Sequence, residues 1–307
     1  MEHLPVLFNE ALEQLAIQES GVYLDGTFGR GGHSLGILQR LNAQGRLIAF
    51  DRDLDAIQSN NAKQLSQDAR FKLIHASFAE LEHTVKQENL LGNINGLLID
   101  LGVSSPQLDN PERGFSFMRD GELDMRMNTT TGLSAAEWLA QVDEKHLVQV
   151  LFDYGEEKFA RRIAKAIIST RTITPITRTR QLAEIIEHAV PLREKHKHPA
   201  TRTFQAIRIE INQELEQLKS VLQQALNVLA PHGRLVVISF HSLEDRIVKR
   251  FIKQHSSISD SFGRLPIKQA DIPKGVLKKL GKYTASDAEL NENPRARSAI
   301  MRVAERI

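Results

Sequence analysis

The 307-residue sequence predicts a doubly wound α/β domain, a parallel sheet with helices on both faces, interrupted by a helical insertion. Three observations carry that prediction. Short apolar runs at residues 22–25, 46–51, 71–78 and 94–100 alternate with helix-length segments, the pattern of β/α units. Four glycines follow the first run within a few residues, where a strand turns into a helix. Strand candidates are then few between residues 107 and 203, and an apolar run returns at residues 234–240.

Taken in order, residues 6–18 carry Leu7, Leu12 and Leu15 at helical spacing and read as a docked amphipathic helix. Residues 22–34, V-Y-L-D-G-T-F-G-R-G-G-H-S, form a strand, a glycine loop and a helix start, a place where a ligand can lie against bare backbone. A P-loop would need Lys and a hydroxyl where Gly32 and His33 stand, which argues against a kinase or ATPase. A dinucleotide fingerprint matches in part, with Ser34 where the third glycine belongs. The third alignment sets Asp25 to His33, D-G-T-F-G-R-G-G-H, against the D-P-F-x-G-S-G-T-T loop that this stretch resembles, that of amino-group methyltransferases using S-adenosylmethionine. A glycine turn with no ligand is the plain alternative.

The second strand ends in Asp51, about 20 residues past the loop, where a carboxylate can accept both ribose hydroxyls of NAD or of S-adenosylmethionine. The third ends in Phe78, either an adenine-stacking ring or an ordinary core aromatic. The fourth runs through Asp100 into Ser104-Ser105-Pro106-Gln107. Enzymes that methylate exocyclic amines place a rigid [DNS]-P-P-[YFW] turn here. The lone pair of such an amine is delocalised into the base, and acceptors on both N–H groups favour the pyramidal, nucleophilic nitrogen. Here the second proline and the aromatic are missing. Ser104, Ser105 and Pro106 are the candidates for holding the amine, and His241, just after the fifth strand, is a candidate proton acceptor or a structural histidine.

Seven blocks spread along nearly the whole chain resemble the MraW-type family of ribosomal RNA small-subunit cytosine-N4 methyltransferases. They are the Asp25 loop, D-L-G-V-S-S-P-Q-L-D from Asp100, R-G-F-S-F from Arg113, L-D-M-R-M from Leu123, H-P-A-T-R-T-F-Q-A from His198, S-F-H-S-L-E-D-R from Ser239 and N-P-R-A-R-S from Asn293. The resemblance implies a Rossmann-like class I S-adenosylmethionine-dependent fold and N4-methylation of one cytidine in the decoding region of 16S rRNA, in a small subunit. It implies cofactor contacts at Gly31, Gly32, His33, Asp51, Phe78, Asp100 and Gln107, beside Asp25 and Gly29 of the same loop. The expected domains are residues 1–106 with 204–307 for methyl transfer, and an inserted helical substrate-recognition domain at 107–203.

Charge is divided within that insertion. Residues 107–157 hold 11 Asp or Glu against 4 Lys or Arg, while residues 158–208 hold 12 Lys or Arg against 3 Glu. Arg161, Arg162, Lys165, Arg171, Arg178, Arg180, Arg193, Lys195, Lys197 and Arg202 suggest phosphate partners, or else a solvated surface. Arg295 and Arg297 are expected on phosphate as well. Asp120, Glu122 and Asp124 alternate without the spacing of a calcium loop, so no metal is expected. The 26 residues from Phe204 to Leu229, with apolar Ile207, Ile211, Leu215, Leu218, Leu222 and Leu226, read as one long helix, residues 256–292 as a mobile loop region and residues 297–303 as a last edge strand.

The chain has no cysteine, which removes disulfides, Cys-based zinc sites and a thiol nucleophile. No apolar run approaches a membrane span, and a cytoplasmic protein without membrane contact is the expectation. Monomer and homodimer both stay open, as does naked rRNA against assembled subunit. Two rival functions remain: an NAD-dependent oxidoreductase, and a noncatalytic RNA-binding or assembly factor on the same fold.

Overall fold

The computed structural model describes residues 5–192, 198–256 and 275–307. They divide into two compact units, one formed by the chain up to Gly102 together with Leu215–Ile307, the other by Val103–Glu214.

The first unit is a seven-stranded sheet in the order β3-β2-β1-β4-β5-β7-β6. Its strands are β1 (Val22–Asp25), β2 (Arg46–Asp51), β3 (Phe71–His75), β4 (Ile94–Asp100), β5 (Leu229–Ser239), β6 (Leu277–Thr284) and β7 (Ile300–Arg306). The first five run parallel, and β7 is antiparallel to both β5 and β6. Strand order reverses between β1 and β4, so the carboxyl ends of these two strands flank the crevice where doubly wound sheets take their ligands.

Apolar side chains alternate across this sheet with a period of two, as a sheet buried on both faces requires. Leu24, Ile48, Phe50, Leu97, Ile99, Leu235 and Val237 share one core with Leu81 and Val85, Leu218 to Val228, and Val248 to Ile252. Tyr23, Leu47, Ala49, Leu98, Val236 and Ile238 face the other core with Leu7, Ala11, Leu12 and Ile37. The helices on these faces are α1 (Phe8–Gln14), α2 (Gly32–Leu38), α3 (Leu54–Ile57), α4 (Asn60–Leu65) and α5 (Leu81–Gln87), with α12 (Glu214–Val228), α13 (Ser242–Ser256) and α14 (Asp287–Glu292) further along.

The second unit starts with α6 (Ser105–Asp109) and continues through α7 (Ala135–Gln141), α8 (Glu144–Asp153), α9 (Ala160–Arg171), α10 (Thr179–Ala189) and α11 (Ala200–Asn212). Its own core gathers Leu139, Leu147, Leu151, Ile163, Ile167, Leu182, Ile186, Phe204 and Ile207. Because α11 contributes Phe204, Ala206 and Ile207 to that core, the boundary falls at Glu214 and Leu215, while the expected division was at residues 203 and 204. At the other end it falls at Gly102 and Val103, not after Pro106.

Three expectations about elements are corrected. The 26-residue helix is two helices: Gln213 takes a left-handed φ of 50° and ends α11, and α12 (Glu214–Val228) starts afresh. A continuous apolar stripe does not register such a break, because both helices present the same residue types to different cores. Residues 277–292, expected within a mobile loop, are β6 and α14 (Asp287–Glu292). The segment L-K-K-L-G-K-Y-T lacks clean alternation because β6 is a sheet edge, where lysines are the usual guard against unwanted pairing. The last strand begins at Ile300, after a tight turn at Pro294–Ser298, and it is not the expected edge: it lies between β5 and β6 and pairs with both. No described helix is long and apolar enough to cross a membrane.

Candidate active site

The glycine loop leaves β1 at Asp25, and its shape is held by two carboxylates at strand ends and by the backbone of a third acid, Asp100. Asp25 is buried; its Oδ1 accepts the N–H of Thr27 at 3.0 Å and its Oδ2 the hydroxyl of Ser34 at 2.7 Å. Asp51 at the end of β2 reaches across, Oδ2 accepting the N–H of Gly29 at 2.7 Å and Oδ1 that of Asp53 at 2.8 Å. Thr27 Oγ1 in turn accepts the N–H of Asp100 at 2.7 Å, tying the loop to the end of β4.

Two glycines are obligatory here. Gly31 has φ +77°, and a Cβ on it would stand 2.8 Å from the Phe28 ring; at Gly32 a Cβ would stand 2.4 Å from Pro5 Cγ. Gly29 is also left-handed, with φ +55°, yet a Cβ there would meet only the Thr27 carbonyl at 3.9 Å, so its outer side is open.

Burial pushes the Asp25 carboxyl up to about 6, and it raises Asp51 as well. Asp100 is raised well above the ordinary carboxylate range, by burial first and then by the charges of Asp25 and Glu244. His33, at the start of α2 and stacked on Phe8, is pulled down to about 4 by burial and is neutral at pH 7. Its Nδ1 lies 3.8 Å from Asp100 Oδ2, too far for a hydrogen bond, and with a neutral ring the two form no ion pair. Asp100 Oδ1 and His33 Nε2 are both buried without a hydrogen-bond partner.

This chemistry fits one of the competing ligands. Buried carboxyl groups and a neutral imidazole offer no cation to the pyrophosphate of a dinucleotide. They suit a ligand with a ribose diol and positive charge, and Asp100 Oδ1 is an acceptor in want of such a donor. The lone pairs that Gly29 and Asp53 leave on Asp51 remain for a diol. Phe78 sits in the sheet core with Leu24, Ile48 and Ile99, against Gly26.

The segment after β4 is a helix start. Ser104 caps α6 through a capping box: its N–H donates to Gln107 Oε1 at 2.9 Å, and its side chain accepts the N–H of Gln107. Ser104, Ser105 and Pro106 are half-buried and Gln107 is buried. At the end of β5, Ser239 is buried, and His241 Nε2 lies 3.1 Å from Glu244 Oε1.

Among the cationic candidates, Arg193, Lys195 and Lys197 lie outside the described residues. Arg202 is half-buried on α11, while Arg295 and Arg297 are exposed in the turn before β7, whose first residue pairs with Ser239. Two residues of the basic half hold structure instead. Arg171 donates to the carbonyls of Leu139 and Val142, and Arg178 pairs with Asp120 at 3.0 Å. Lys158, Arg161, Arg162 and Lys165 are exposed along α9 and its approach, with no ion pair among the described residues.

Thr27, Ser34 and Glu244 were not read as site residues from sequence. For Glu244 the signal was present, since a glutamate three residues after His241 at a helix start is a capping pattern. The other two are hydroxyls whose partners lie nine and 73 residues away, beyond any local pattern.

Sheet order, loop and acids together define a doubly wound α/β methyltransferase, with S-adenosylmethionine as its cofactor. The family is specific: the chain belongs to the MraW methylase family, whose model matches residues 1–307. Among solved structures it is similar to a protein of Clostridium thermocellum assigned as an rRNA methylase, at 12% identity and TM-score 0.46, over 99% of this chain and 100% of that one. It is similar to TrmN from Thermus thermophilus at 10% identity and TM-score 0.43, over 98% and 48%. It is also similar to the N-methyltransferase NodS from Bradyrhizobium japonicum WM9 at 8% identity and TM-score 0.42, over 97% and 93%.

Proposed function

We propose that this protein methylates the exocyclic N4 of a cytidine in the decoding region of 16S rRNA, acting in the cytoplasm on the small ribosomal subunit. The observation that carries the reading is the sequence S-S-P-Q starting four residues after Asp100, in a chain that belongs to the MraW methylase family. That position follows the strand end at which an amine-directed enzyme needs acceptors for the N–H groups of its target.

S-adenosylmethionine supplies a methyl group already activated by its sulfonium, so the work left to the chain is orientation and proton handling. Asp51 would hold the ribose diol, and Gly29, Gly31 and Gly32 would let the backbone approach, with His33 and Asp100 at the polar end and Gln107 and Phe78 completing the contacts. Ser104, Ser105 and the carbonyl beside Pro106 would accept the N4 hydrogens, and His241 would take the surplus proton. Residues 103–214 would recognise the RNA through Arg202 and the basic α9, together with Arg193, Lys195 and Lys197, while Arg295 and Arg297 meet phosphate from the first unit. Homodimerisation belongs to the same proposal as an open alternative to the monomer.

The test is transfer of labelled methyl to small subunits from a strain lacking this protein. Label in one cytidine of the decoding region, recovered as N4-methylcytidine after digestion, is the expected result. Label on another base, on naked RNA alone, or none at all would overturn the corresponding part.

A further inference from the structure

At the carboxyl end of β5, a histidine and a glutamate are packed together that the cofactor loop does not use. Glu244 is 2% exposed, at the start of α13 (Ser242–Ser256). Its Oε2 accepts the N–H groups of Phe240 at 2.8 Å and of His241 at 3.2 Å, and its Oε1 lies 3.1 Å from His241 Nε2. That approach is close in distance but bent away from the ring N–H direction, so it is an electrostatic contact and not an aligned hydrogen bond. The other ring nitrogen, Nδ1, is buried and has no hydrogen-bond partner; the hydroxyl of Ser239 is buried and unpartnered too.

This pair stands at the end of the sheet where the ligand crevice opens. Leu101 donates its N–H to Ile238 at 3.0 Å, and a Cβ on Gly102 would touch the Phe240 ring at 3.5 Å. The Glu244 charge contributes to the raised Asp100. A buried imidazole nitrogen left without a partner is a cost to the fold, and it is retained where a ligand completes it. A carboxylate beside one imidazole nitrogen places the proton there and makes the other an acceptor.

We propose that Glu244 is a positioning residue that keeps the His241 proton on Nε2, leaving Nδ1 to accept the proton that the target amine loses. The proposal rests on the amine-methylation reading above. The amine nitrogen gains a methyl and a positive charge, while the electron pair of the broken carbon–sulfur bond stays on sulfur. One N–H proton then passes to Nδ1, and Glu244 stabilises the imidazolium until that proton leaves to water.

Glu244→Gln is the decisive variant. Its amide oxygen can still accept the Phe240 and His241 N–H groups, but its NH2 now faces Nε2 and makes that nitrogen the acceptor, moving the proton to Nδ1. Long-range ¹⁵N spectra of the full-length, histidine-labelled protein without cofactor should show the Nε2–H tautomer for His241 in the wild type and the Nδ1–H tautomer in E244Q. Single-turnover methyl transfer to small subunits should fall about 100-fold or more in E244Q, with cofactor affinity within about twofold. In His241→Gly the same drop in rate should be recovered in part by added imidazole, which a purely structural histidine would not allow.

An Nδ1–H tautomer in the wild type, or a full rate in E244Q, overturns the proposal. If E244Q does not fold, the outcome rests on the glycine variant, where folded protein unresponsive to imidazole overturns it as well. Wild-type protein that methylates no RNA overturns the amine reading beneath it, an outcome the tautomer spectrum does not imitate.

Discussion

Asp51 serves the loop as well as the ligand. Its carboxylate carries the N–H groups of Gly29 and Asp53, so it shapes the loop in which it is also expected to act as ribose acceptor. Asp51→Ala should therefore weaken S-adenosylmethionine binding by about 2 to 3 kcal/mol and also lower the stability of the apoprotein by about 1 to 2 kcal/mol. Calorimetry and urea unfolding read the two effects separately, and unchanged affinity would remove Asp51 from the ribose. Asp25 offers a test by pH. Its folded value of about 6 lies above its ordinary 3.8, so the native state binds the proton more tightly than the unfolded chain. Stability from this group is thus present at low pH and is lost as pH rises through the window from about 4 to 6. His33, held at about 4, works in the opposite sense, since the native state resists its protonation below its ordinary 6.5. The two slopes oppose each other in the wild type, and Asp25→Asn unmasks the histidine. Between pH 7 and pH 5, D25N should lose on the order of 1 kcal/mol relative to wild type in urea midpoints. Parallel behaviour of the two proteins would show that Asp25 is not raised.

At the scale of elements, the basic half of the insertion separates into helices with different duties. Arg171 and Arg178 are engaged in holding the second unit together, whereas Lys158, Arg161, Arg162 and Lys165 recur at i, i+3, i+4 and i+7 as one exposed stripe leading into and along α9. Ile163, Ala164 and Ile167 on the opposite side bury the helix, so the stripe can be changed without touching the core. Reversing Arg161, Arg162 and Lys165 to Glu should weaken subunit binding and reduce its salt slope by about 1 for each phosphate left without its cation, with cofactor affinity unchanged. A salt slope equal to wild type would make the stripe a solvated surface. The strands and the glycine loop were legible in sequence because a parallel sheet buried on both faces is written in continuous apolar runs. The break at Gln213 and the edge strand β6 were not, since one is a single backbone conformation and the other a lysine-bearing edge whose pairing partner, β7, lies further along the chain.

Across the whole molecule, the first unit is assembled from both ends of the chain, and the second is a continuous segment with its own core. Cofactor binding should report on the first of them. At a hundredfold excess over Kd, S-adenosylmethionine should stabilise the fold by about 2.7 kcal/mol, with new hydrogen-exchange protection at residues 26–34 and 98–102. Protection confined to α7–α11 instead would place the cofactor elsewhere. The sequence by itself determined the parallel strands, the glycine loop, the acids at the strand ends and the family, because each is written in patterns of residue types along the chain. Tertiary structure alone decided that Asp25 turns inward onto Ser34, that Thr27 ties the loop to Asp100, and that the chain leaves the helical unit after Glu214. It also decided that His241 is packed on Glu244 with its Nδ1 unsatisfied. Those outcomes depend on hydrogen-bond partners and burial that only the closed sheet brings together, and no spacing along the chain encodes which of several competent polar groups will be left without a partner.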